Sequence, residues 1–364
     1  MNIYFYTGIP QNGASMRYPD FLPENGTIGF VAPSFGCASD PYLSTFNNAR
    51  KNFANMGYKE DVGPNCYAEE GIGISNTPKA CGLELTESYL SSKNDIIISC
   101  GGGEMMCETL NYTDYEAISK AKPKWYIGNS DNTNFTYLSA TLCDTAAIYG
   151  PCVSAFGMEP WHTAVEDAFS LLRGTKLSFT GYDGWEIESL KTPESPLVPY
   201  NVTEKTIIKK YQAGSSQSSD SDITMHGRLL GGCIDCLVNL TGTKFDKTRD
   251  FIERYETDGI LWFLEACELN PMAVRRAMWQ MKNAGWFEHC SGFIIGRPYT
   301  YGDVLMGLDH YRAVVDIISD LNVPILMDAD IGHHPPMLPI VTGAIATVST
   351  SANSYTIEYD LSND

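Results

Sequence analysis

The chain has 364 residues, enough for two domains, and 43% of them are hydrophobic against 19% charged, so a large core is available and bulk disorder is excluded. Its 44 acidic and 25 basic residues leave a formal charge of −19. So few cations gain little from counterion release, which sets aside nucleic acid and anionic membrane surfaces as partners but still permits a local cationic pocket.

At the amino terminus, MNIYFYTGIPQNGASMRYPDFLP has no basic start, and Gly8, Pro10 and Gly13 break its apolar residues, so it does not read as an export signal. No run anywhere approaches the ~20 apolar residues of a spanning helix, and a cytoplasmic location is expected. TIGFVA at 27–32 reads as a strand ending in the turn PSFG, and 40–57 has helical periodicity. DIIISC at 95–100 is a second strand, closed by Gly101, Gly102 and Gly103. KWYIG at 124–128 is a third, followed by Asn129, Ser130 and Asp131 and then the helical NTNFTYLSATL. Strand, glycine-rich turn and helix in repetition predict a doubly wound parallel sheet, with ligands at the carboxyl ends of its strands.

From about 175 to 226 proline and serine accumulate, and AGSSQSSDSD at 213–222 reads as a solvated loop. A second domain is expected to begin near Gly227 with RLLGGCIDCLVNLTGT. In it, ILWFLE (260–265) is a strand, 271–285 an amphipathic helix and GFIIG (292–296) a strand. VPILMDADIGHH (323–334) is a strand running into a loop, and PIVTGAIATVST with TIEYD forms a hairpin-like pair. The expected organisation is a 1–170 N-terminal α/β domain, a 171–226 connecting segment and substrate loop, and a 227–364 C-terminal α/β or α+β domain, with the site between them.

A serine at a sharp strand-to-helix turn has its hydroxyl exposed, as in a nucleophile elbow. The usual glycine two residues later is Asn132 here, and on local sequence alone Ser130 or Asp131 reads as a cap of the following helix rather than as a nucleophile. Gly101–Gly103 could aim backbone N–H groups at a developing oxyanion or simply make a tight turn; the spacing in GGGEMMCE is not that of a dinucleotide fingerprint. Glu265 ends an apolar strand, either complementing the dipole of the next helix or serving chemistry. His333 and His334 follow a strand; adjacent histidines make poor metal geometry, which leaves a general base or a surface position. Eleven cysteines, an odd number, read as reduced buried thiols, and Cys233 and Cys236 as core residues, since zinc would want a second pair.

The stretch GGGEMMCETLNYTDYEAISKAKPKWYIGNSDNT closely resembles the LD-carboxypeptidase family of serine peptidases. The matching positions are Gly102, Gly103, Leu110, Asp114, Lys124, Gly128, Ser130, Asp131 and Thr133. APS (32–34), YGP (149–151), GRLLGGCIDCLVNLTGT, ILWFLE and IGHHPPMLPIVTGAIATV extend the similarity over nearly the whole chain. The resemblance implies Ser130 as nucleophile, His333 as base and Glu265 as its orienting carboxylate. It also implies an oxyanion hole from the backbone N–H groups of Asp131 and Gly103, with Gly102 beside the substrate and no metal or cofactor. Two positions depart from the family: TPKACGLEL lacks an arginine usual there, and Cys233 replaces an asparagine.

The family's two branches trim D-alanine from cytosolic murein tetrapeptides or, like the microcin C immunity peptidase, cut an aminoacyl-nucleotide amide. Chain length, the long 175–226 connection and the Trp185–Glu186 pair resemble the second more. Trp185 and Tyr211 are the candidates to stack on a base, each otherwise an ordinary loop aromatic. A homodimer is expected, as family members are often dimers. The rival readings are a non-catalytic ligand-binding protein on the same scaffold and a thiol enzyme using Cys100, Cys107 or Cys267.

Overall fold

The computed structural model describes residues 15–362; of the amino-terminal stretch read above, residues 1–14 lie outside the described residues. The first sheet contains β1 (Thr27–Val31), β2 (Lys59–Val62), β3 (Ile96–Ser99), β4 (Tyr126–Gly128) and β5 (Ala147–Tyr149). They are parallel, in the order β2-β1-β3-β4-β5. Parallel strands covered on both faces read as unbroken apolar runs, and every residue of β3 (IIIS) is buried. The crossovers carry α1 (Tyr42–Asn55), α2 (Pro78–Leu90), the short α3 (Met106–Thr109), α4 (Tyr115–Lys120) and α5 (Thr133–Cys143). α2 starts where Thr77 accepts from the Ala80 N–H and Pro78 occupies the first turn, a position that needs no N–H. α6 (Thr163–Leu172) follows β5.

The 171–226 segment is not one loop. It supplies β6 (Ser178–Thr180), a small ribbon of β7 (Gly184–Trp185) with β8 (Glu204–Lys205), and the pair β9 (Lys209–Tyr211) and β10 (Ser218–Ser219). Then come β11 (Thr224–Cys233), α7 (Ile234–Leu240), α8 (Thr248–Arg254), β12 (Ile260–Glu265), α9 (Pro271–Asn283), β13 (Cys290–Gly296), α10 (His310–Ile318) and β14 (Ile325–Ala329). β11, β12, β13 and β14 are parallel neighbours at the centre of a nine-stranded sheet whose flanks, β10 and β9 on one side, are antiparallel.

The expected terminal hairpin forms from only part of its run. β16 (Ile345–Ser351) and β17 (Ser354–Asp360) pair antiparallel on the other flank, followed by β6. The preceding β15 (Ile340–Thr342) instead pairs antiparallel with β5 in the first sheet. Gly343, at φ 89°, takes the left-handed turn that separates the two. The loop from β14 to β15 therefore crosses from the second sheet to the first, and it carries His333.

Helix α5 lies between the lobes, which explains why ten of its eleven residues are buried. Its first residue, Thr133, accepts from the Cys233 N–H through Oγ1 (2.9 Å), and Tyr137 hydrogen-bonds Thr248 (2.8 Å) and stacks on Trp286. Beneath the β14–β15 loop, Arg297 and Asp330 form an ion pair with side chains 2% and 0% exposed. Asp330 also accepts from the Tyr182 N–H (2.8 Å), and Arg297 donates to the Asp328 carbonyl (2.6 Å). Removing one member strands the other charge away from water. Arg297→Ala is expected to cost about 3–5 kcal/mol in urea unfolding, against well under 1 kcal/mol for Arg249→Ala, whose pairs are solvent-exposed.

Candidate active site

Ser130 immediately follows β4 and Asn129, with φ 59°. That left-handed conformation is uncommon for a non-glycine residue and is the strained turn an elbow nucleophile requires. Neither Ser130 nor Asp131 caps α5, so the capping alternative fails. Asp131 is buried, and its carboxylate accepts from Ser34 Oγ (2.6 Å), the Met106 N–H (2.8 Å) and Asn134 Nδ2 (2.9 Å). Burial pushes its pKa up, against these donors. It thereby ties the ends of β1, β3 and β4 together. Asn132, standing where an elbow usually has glycine, donates to the carbonyls of Gly101 (2.8 Å) and Asn129 (2.9 Å). The departure from the usual pattern thus links the elbow to the glycine run.

The three distant side chains converge. His333 Nε2 lies 2.8 Å from Ser130 Oγ, from which the neutral ring accepts, and its Nδ1–H donates to Glu265 Oε2 (2.8 Å). Glu265 ends β12, is 1% exposed, and accepts at Oε1 from the Tyr149 hydroxyl (2.5 Å). Gly332 makes the approach possible: at φ 110°, a Cβ there would sit 2.6 Å from Glu265 Oε2. Burial alone would hold the imidazole neutral, but the Glu265 carboxylate and the Cys267 side chain together outweigh it, and the His333 pKa stands well above the ordinary histidine value. Burial likewise opposes ionisation of Glu265, yet His333 and the Tyr149 hydroxyl bring its pKa below the usual carboxylate range.

A cavity of about 700 Å³ opens over Ser130 and His333. Gly102 and Gly103 line it; a Cβ on Gly102 would lie 2.8 Å from Ser130 Cβ, whereas Gly103 packs against Ser34. Trp185 and Tyr211 do not line it. Trp185 is buried in contact with Tyr301, His334 and Arg297, and Tyr211 sits in β9 beside β14. Position on a connecting segment says nothing about direction, and both rings turned inward because their apolar area is better buried. The aromatic side chains at the cavity are Phe35, Tyr42, Tyr200 and Tyr299, which the sequence did not single out. Lys191 is the one lysine or arginine lining it among the described residues, alongside Glu69, Glu104 and Glu186. Of the thiols considered, Cys100 and Cys267 line the cavity and Cys107 does not. Complete burial drives the Cys100 pKa well up, which disfavours a thiolate there. All eleven cysteines are free, Cys233 and Cys236 included.

Residues 28–150 match the N-terminal domain model and residues 226–348 the C-terminal domain model of the LD-carboxypeptidases. The chain belongs to the LD-carboxypeptidase family. A Bacillus subtilis family protein named "Probable murein peptide carboxypeptidase" is 22% identical, the match covering 96% of this chain and 97% of that one. Among solved structures, the microcin C7 self-immunity protein MccF in complex with glutamyl sulfamoyl guanosine shares the fold at a TM-score of 0.76. It is 21% identical, over 94% of this chain and 98% of the other. An MccF-like protein from Streptococcus pneumoniae in complex with AMP aligns at 0.72 and 20% identity, over 92% and 98%. No helix among the described residues of this LD-carboxypeptidase is long and apolar enough to cross a membrane.

A neutral imidazole is needed to take a proton from Ser130, and here the protonated form is favoured. Labelling of Ser130 by a fluorophosphonate should therefore rise with pH along a limb centred above about 6.5, the ordinary histidine value. The same raised pKa stabilises the fold fully below about 6.5, a contribution lost as pH climbs through the folded-state value.

Proposed function

We propose that the protein is a serine amidase of small peptide-like substrates, working through Ser130, His333 and Glu265. The observation that carries this reading is the unbroken chain of 2.8 Å hydrogen bonds from Ser130 Oγ through the imidazole to Glu265. His333 takes the Ser130 proton as the hydroxyl attacks the amide carbonyl. Glu265 holds the Nδ1–H tautomer and stabilises the imidazolium. The oxyanion is assigned to backbone N–H groups at Asp131 and Gly103, with Gly102 leaving room for the carbonyl beside Ser130. The imidazolium then protonates the leaving nitrogen, and water hydrolyses the acyl-enzyme.

The substrate class we favour is an aminoacyl-nucleotide of the microcin C type. The cavity is wide, four aromatic side chains border it, and the MccF structures hold aminoacyl-sulfamoyl nucleosides and AMP. Among the described residues the Lys191 ammonium has no ion-pair or hydrogen-bond partner, and desolvation by the surrounding wall lowers its pKa despite nearby Glu186. It is suited to an anion on the leaving-group side. The second reading, removal of D-alanine from murein tetrapeptide, presents a terminal carboxylate to the same lysine and agrees with the named Bacillus relative. A cytoplasmic location and a homodimer belong to this proposal.

Competing an aspartyl- or glutamyl-sulfamoyl adenosine against the tetrapeptide in one hydrolysis assay decides between the two; turnover of the peptide alone would reverse our preference. Ser130→Ala should lower kcat by roughly three to six orders of magnitude with the fold intact, and retained activity would dismiss the triad. Lys191→Met should raise KM about tenfold while changing kcat little. An unchanged KM would take Lys191 out of substrate recognition.

A further inference from the structure

The carboxylate at the end of the triad has a second partner. Tyr149, the last residue of β5, is fully buried and its hydroxyl bridges two groups of the site. It accepts from the Ser130 backbone N–H (2.9 Å) and donates to Glu265 Oε1 (2.5 Å). The direction of the proton follows from chemistry alone: an amide N–H only donates and a carboxylate only accepts, so one hydroxyl must do one of each. With the His333 bonds this closes a ring that leaves Ser130 through its backbone and returns to it through its side chain.

From this ring we infer that Tyr149 is a positioning residue, which sets the basicity of His333 through Glu265 and holds the elbow backbone in its left-handed conformation. The inference rests on the reading of Ser130 and His333 as nucleophile and base. The O–H dipole turns its positive end toward Glu265 and so weakens that carboxylate's hold on an imidazolium, keeping the base nearer its working range. Burial and the neighbouring carboxylate push the phenol pKa well up, so the hydroxyl keeps its proton to donate. Engaging the N–H of Ser130 itself also assigns the oxyanion to the next N–H along the elbow. A phenylalanine in the same place fills the same volume and does none of this.

Other titratable groups face the ring. Cys267, just beyond β12, Glu104 and His334 neighbour His333, while Cys233 at the end of β11 faces Glu265 and Tyr149. The substitutions below change none of them.

The test is the rate at which a fluorophosphonate labels Ser130 of the full chain, followed against pH, which needs no knowledge of the natural substrate. Tyr149→Phe should lower the limiting rate roughly 10- to 100-fold and move the acid limb upward by roughly half to one pH unit. Replacing Tyr149 by 3-fluorotyrosine, nearly the same size and a stronger donor, should move that limb the opposite way, and it carries the test if the phenylalanine variant does not fold. Limbs and rates within about twofold of the parent in both variants would reduce Tyr149 to a packing residue and overturn the inference. Absence of Ser130 labelling in the unmodified chain is a different result, and it removes the triad reading together with what rests on it.

Discussion

A carboxylate that cannot reach water organises this molecule. Glu265 sits at the end of a central strand of the second sheet, and an ionised group at that depth is tolerable only if donors occupy its oxygens. One donor, His333, arrives on the loop between β14 and β15; the other, Tyr149, ends a strand of the first sheet. Satisfying one buried charge therefore draws both sheets and the crossing loop to a single point. The bonds joining Ser130, His333, Glu265 and Tyr149 thus add to the contacts that α5 and β15 make between the lobes.

A second buried carboxylate plays the corresponding part within the first lobe. Asp131 gathers Ser34 after β1, Met106 beyond the glycine run and Asn134 in α5, and so fixes the carboxyl ends of three neighbouring strands relative to one another. The order β2-β1-β3-β4-β5 reverses direction at β1 and β3, where a parallel α/β sheet opens a crevice. The glycine run lies at that opening with Ser130 against it. Local strain at the elbow is thus held by a rigid surround rather than by the elbow itself.

Much of this was legible in the chain. Strands such as IIIS and ILWFLE are continuous apolar runs, which is what burial on both faces demands, and their ends announced the glycine run, Ser130 and Glu265. The triad could be named only because the Gly-x-Ser-Asp and Gly-His segments resemble those of the LD-carboxypeptidases; read locally, Ser130, Glu265 and His333 each kept a structural alternative. Direction was not legible. Trp185 and Tyr211 were reasonable aromatic candidates, yet both face the interior, while Phe35 and Tyr299 reach the cavity from irregular segments and Tyr42 from the first residue of α1, where side-chain vectors depend on tertiary contacts. Tyr149 was visible only as part of a YGP match, since nothing local says that a strand-end phenol meets a carboxylate 116 positions away. The run from Pro339 to Thr350 looked like one strand; the break at Gly343 depends on which sheet each half can join.

That break has a mechanical consequence. Two-lobed enzymes commonly admit substrate by swinging one lobe about a flexible link. Here β15 is stitched to β5 while its chain neighbours on either side belong to the opposite sheet. A swing would have to peel those rungs apart and stretch the very loop that carries the imidazole. The 186–200 stretch bordering the crevice is tied to the same frame, by the Glu186 N–H to Pro335 carbonyl bond of 2.7 Å and by the contact of His334 Nδ1 with the Glu186 carbonyl.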